Sequence, residues 1–106
     1  MRRTTLVLLA LAVPLACAAA ACRAQVPDGY IDLQIVNPSP VVRRTAVYDN
    51  VCDELVLDKP VDGNGAIPVQ VCARGMGRGD VTVRNIDTGA EQRHEDVFGG
   101  TQIEVP

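Results

Sequence analysis

At 106 residues and a net charge of −3, the chain has room for one domain, and its acidity opposes nucleic acid or an anionic membrane surface as a partner. The aromatic residues are only Tyr30, Tyr48 and Phe98, which supplies few stacking platforms for single-stranded nucleic acid or sugars. No cofactor is implied, and with one histidine the ligands for a zinc centre run short.

The chain opens with Met1-Arg2-Arg3-Thr4-Thr5, followed by apolar residues from Leu6 to Leu15 and an alanine-rich tract to Ala21. A cationic start, an apolar core and small residues ahead of a cut form the three-part pattern of a secretory signal, assigned here to residues 1–24. The apolar stretch from Leu6 to Ala21 counts 16 residues and contains Pro14, short of the about 20 that a transmembrane helix needs. Cleavage is expected between Ala21 and Gln25. Ala19-Ala20-Ala21-Cys22 also resembles a bacterial lipobox, with alanine where leucine is usual, so the alternative processing makes Cys22 an acylated first residue. A lipid on Cys22 would be the domain's one link to a membrane.

Residues 25–106 form the expected single domain. They keep all 13 acidic residues and lose three arginines, which takes the mature net charge to −6. Tyr30–Val36 alternates strictly, with Ile31, Leu33 and Ile35 on one side, the period of a half-buried strand. Asn37-Pro38-Ser39-Pro40 ends it. Val41–Tyr48 is the second expected strand and Val51–Leu57 the third. Asp58–Gly65, with Pro60, Asp62-Gly63 and Asn64-Gly65, reads as a loop. Ala66–Ala73 alternates again, and Gly75–Gly79 is a flexible connector. Asp80–Ile86, Glu91–Phe98 and Thr101–Val105 complete the set. No stretch carries a helical period. Six or seven short strands predict an all-β fold, a small antiparallel sandwich of immunoglobulin-like type or a small barrel.

Cys52 and Cys72 remain in the mature segment, and in an oxidising compartment the simplest expectation is a disulfide. Direct pairing of the third and fourth strands would set Cys52 opposite Cys72, Leu55 opposite Val69 and Leu57 opposite Ile67, with a loop over residues 59–65. The Asn64-Gly65 turn signal argues against that register. A bridge between two sheets is the alternative, and it leaves the tight turn intact.

The remaining motifs predict surface rather than chemistry. Asp62-Gly63-Asn64-Gly65 lacks the ligand spacing of a calcium loop. Gly75, Gly77 and Gly79 lead into a strand rather than a helix, so they form no phosphate cradle. Arg78-Gly79-Asp80 spells an integrin-recognised tripeptide at a loop. His94 sits in a polar run with no evident nucleophile, and Ser39 lies between two prolines. The expected function is that of an exported, non-catalytic β module whose partner is another protein, reached by strand addition at an open sheet edge. Inhibition of an extracellular hydrolase is the alternative, and a minimal hydrolytic enzyme the third reading.

Overall fold

A computed structural model describes residues 28–106. The signal expected at residues 1–24, the expected cleavage site and Cys22 lie outside the described residues. Strands follow the alternating segments: β1 Gly29–Val36, β2 Arg43–Asp49, β3 Glu54–Val61, β4 Ala66–Ala73, β5 Gly79–Asn85, β6 Glu91–Val97 and β7 Gln102–Glu104. They form two sheets, ordered β4-β1-β7 and β3-β2-β5-β6. Among the described residues, no helix is long and apolar enough to cross a membrane.

Alternation decides what each sheet turns inward. Leu33 and Ile35 of β1, with Val69 and Val71 of β4, meet Val47 of β2 and Val81 and Val83 of β5 in one buried cluster. Val97, Ile103 and Val105 close it on the other side. β-branched residues suit this role, since they pack well on a pleated, half-buried surface.

The expected third strand is shifted. Residues 50–53 form a turn, and β3 runs on through Asp58-Lys59-Pro60. The Asp49 carboxylate causes the shift: its Oδ1 accepts the backbone N–H groups of Val51 and Cys52, at 2.9 and 3.2 Å, and curls that segment. Asp53, at φ 57, completes the turn in the left-handed region that aspartate tolerates better than most residues.

The direct pairing of β3 with β4 does not occur. β3 pairs with β2, and β4 pairs with β1, where Leu33 faces Val69 and Ile35 faces Ile67. β3 and β4 belong to different sheets, and the turn between them is tight. The Gly65 N–H donates to the Asp62 carbonyl at 2.9 Å, with Asn64 at φ 58. The Asn-Gly signal therefore marks a turn that crosses from one sheet to the other.

Each sheet edge is guarded. In β2 and β1 the pairing alternates so that Pro60 of β3 and Pro68 of β4 fall where a backbone N–H would point outward. Proline has no such donor, which is why it is tolerated there. Of the outward N–H groups that β4 does have, that of Cys72 is given to Asp49 at 2.8 Å. On the far side β7 has three residues, and β6 is charged from Glu91 to Asp96, with Asp96 at φ 55 where the register shifts. Short, charged or irregular edges resist pairing with another chain.

Candidate functional site

At the end of the sheets where the N-terminal segment arrives, Cys52 and Cys72 form a disulfide, with Cα atoms 6.0 Å apart. Cys52 lies in the turn after β2 and Cys72 near the end of β4, so the bond ties one sheet to the other. Asp49, 1% exposed, reinforces it by accepting three backbone N–H groups, from Val51, Cys52 and Cys72. Asp49, Cys52 and Cys72 present ligand-type atoms within 4.8 Å of one another, but both sulfurs are spent in the bond. This cluster is a brace.

A second polar network lies on the outer face of the four-stranded sheet. Asp80 is 4% exposed, and its two oxygens accept from Arg93 Nε at 3.0 Å and Nη2 at 2.6 Å. The Asn50 side chain adds a bond to Asp80 at 3.0 Å and another to the Thr82 hydroxyl. The Arg93 hydrogen bonds hold the Asp80 carboxyl below the usual carboxylate range, against the opposing effect of burial. One half of the Arg-Gly-Asp tripeptide is thereby removed from display. Arg78 is exposed and pairs with Asp96 at 3.5 Å, while Asp80 is covered.

Beside this network a groove of about 340 Å³ runs over the same face, lined by Ala46, Tyr48, Leu55, Thr82, Arg84 and Glu91. The register explains it. Tyr48 stands opposite Leu55 on β3 and Thr82 on β5, and Arg84 opposite Glu91 on β6. Leu55 is 53% exposed. The Tyr48 hydroxyl donates to Asp53, and that bond pushes its ionisation up. The groove offers an apolar floor and a charged rim, with no nucleophile–base pair among its lining residues.

The other sequence candidates fall elsewhere. His94 stands opposite Val81, on the inner side of β6, and its Nε2 is buried without a hydrogen-bond partner. Gly75-Met76-Gly77 is a 3-10 turn, not a cradle. Asp62 uses its main-chain carbonyl to close the turn at Gly65 and to receive the Asn37 amide.

Three buried polar residues went unsuspected in the sequence. Asn37 donates to the carbonyls of Val41, Val61 and Asp62 and accepts the Ser39 N–H, fastening the β1–β2 loop to the end of β3. Asn85 caps the following turn through Asp87 and Thr88 and reaches the Pro106 carbonyl. Asp49 is the third. All three end strands, where asparagine and aspartate side chains bond to nearby backbone. That position is the signal that could have found them. Against these features, no family model, curated protein or solved structure matches this chain.

Proposed function

We propose that this protein is an exported, non-catalytic β-sandwich module that works by binding another protein through side-chain contacts. Export is supported by the N-terminal pattern and by the disulfide, which is compatible with an oxidising, exported environment. The fold supports an immunoglobulin-like reading. Strands β2, β3, β5 and β6 take the places of C, C′, F and G, with β1 and β4 opposite as B and E. β7 departs from that pattern by running parallel to β1.

The observation that carries the binding mode is the contrast between guarded edges and an open face. Backbone donors are withheld at Pro60, Pro68 and Cys72, whereas Tyr48 and Leu55 lie exposed on the four-stranded sheet. Apolar residues set in a polar rim are the usual composition of a protein-binding patch. The hydrolase reading has less support, because His94 is turned inward. The inhibitor reading loses the Asp58–Gly65 loop, where a Cβ on Gly63 would come within 2.2 Å of the Pro40 carbonyl oxygen, and keeps the Arg74–Asp80 loop, whose Met76 is exposed.

The test is a photo-activated cross-linking residue at Leu55, with a control at Thr88, in cells that export the protein. A discrete adduct of fixed mass at Leu55, absent at Thr88 and lost on Tyr48→Asp, is expected. Equal labelling at both positions, or none at Leu55, overturns the reading.

A further inference from the structure

The β4–β5 loop holds an anomaly. The Arg74 N–H donates to the Arg78 carbonyl at 2.8 Å, closing a loop of Gly75, Met76 and Gly77. Met76 is at φ 68, a left-handed conformation that side chains of its size disfavour, and Gly77 is at φ 68 as well. Backbone strain of this kind is normally recovered through contacts made by the side chain. Here the side chain makes none to recover it, since Met76 is 89% exposed. The loop displays an unbranched apolar residue at its tip, with an arginine on either side of its base.

Neighbouring elements add to the same end. Tyr30 at the start of β1 is 64% exposed, and Phe98 in the β6–β7 loop is 52% exposed. These three segments converge. The Asp28 N–H donates to the Ala73 carbonyl, Asp28 Oδ2 lies 3.7 Å from where a Cβ on Gly75 would stand, and Gly99 is set equally close to Ile31. At the opposite end the exposed large apolar residues are Val41 and Val42, neither of them aromatic. Tyrosine, phenylalanine and methionine on one surface, with arginine behind, is the composition of a membrane-interface contact. There apolar ends enter the acyl boundary and guanidinium groups reach back to phosphate.

The position of this surface in the chain identifies its occupant. It is the end from which the N-terminal segment leaves, and that segment carries the apolar tract Leu6–Leu15 and Cys22. From Cys22 to Asp28 the chain can span at most about 20 Å. The tract leaves with the signal, so a processed domain is held to a membrane only through an acylated Cys22, and that tether must turn this end toward the lipid. We infer that the surface of Tyr30, Met76 and Phe98 seats on a phospholipid bilayer, with Met76 at its tip entering the interface. The inference rests on the export reading proposed above, in the form in which Cys22 is the acylated first residue. The mature charge of −6 opposes an anionic surface, so the contact is apolar, and Arg78 pairs with Asp96 beside it.

The chain contains no tryptophan, so a single introduced indole reports its own surroundings. Met76→Trp, Phe98→Trp and Val42→Trp are made in the exported protein with acylated Cys22, recovered from the envelope of an expressing bacterium and reconstituted with phosphatidylcholine vesicles. Co-flotation and an intact Cys52–Cys72 bond establish that each is anchored and folded. Brominated phosphatidylcholine is expected to quench Trp emission at positions 76 and 98 several-fold more than at 42, with a blue shift at 76. Quenching at 76 and 98 no greater than at 42, in protein that floats with the vesicles, overturns the inference. Processed protein that carries no lipid and does not float also overturns the inference. A failure of the export reading shows differently, as unprocessed chain with free thiols in the cytosolic fraction.

Discussion

Asp49 and Cys72 sit in opposite sheets, yet the carboxylate of one accepts the backbone N–H of the other at 2.8 Å, directly beside the disulfide. A covalent bond and a charge-assisted hydrogen bond thus fasten the same corner. Replacing both Cys52 and Cys72 with alanine should cost about 3 kcal/mol, from release of a loop of about 20 residues. Urea unfolding measures this. A loss below about 1 kcal/mol would show that Asp49 alone holds the corner.

Asp49→Asn tests the other half. The amide offers one acceptor where the carboxylate offers two, and turns its N–H donors toward a backbone N–H. The expected loss is about 2–3 kcal/mol with the disulfide retained, as for a buried, charged hydrogen-bond acceptor. Stability within about 0.5 kcal/mol of the wild type would contradict the role given to Asp49.

Much of this fold is legible in the sequence, and the exceptions have a common cause. Ile31, Leu33 and Ile35, or Val81 and Val83, announce their strands through strict alternation. The turn at residues 50–53 could not be read that way, because Val51-Cys52 looks like strand until Asp49 is known to capture its N–H groups. Pro60, among the turn formers of Asp58–Gly65, predicts loop after Leu57, but at a sheet edge an outward proline costs no ladder bond and β3 runs on to Val61. The groove was hidden for a different reason. Ala46, Tyr48, Leu55 and Thr82 come from three strands, and only the register, with its shift between Val47 and Tyr48, brings them together.

Acid should act partly through Asp80. Its folded pKa lies below the unfolded value because of Arg93, so the pair contributes stability above about pH 4, and that contribution fades as pH falls through the folded pKa. Arg93→Met should therefore destabilise the protein at neutral pH and match the wild type at strongly acid pH. With the Arg93 side chain 57% exposed, the neutral-pH difference is small. A difference that grows toward acid would have the wrong sign.

Pro68→Val restores an outward N–H to the edge of β4 without touching the core, since Pro68 is exposed. The monomer should keep its stability to within about 1 kcal/mol, while self-association, read by light scattering, rises. Unchanged scattering at equal concentration would show that other features guard this edge.

The central claim is that an exported, disulfide-braced domain follows a removed N-terminal signal. Intact-mass analysis of the protein recovered from the envelope of an expressing bacterium tests it most directly. The predicted mass corresponds to a chain beginning between Ala21 and Gln25, two hydrogens short of the dithiol form, with an added lipid on Cys22 if that residue is the first. A mass that still includes Leu6 to Leu15, with Cys52 and Cys72 reduced, would contradict the account.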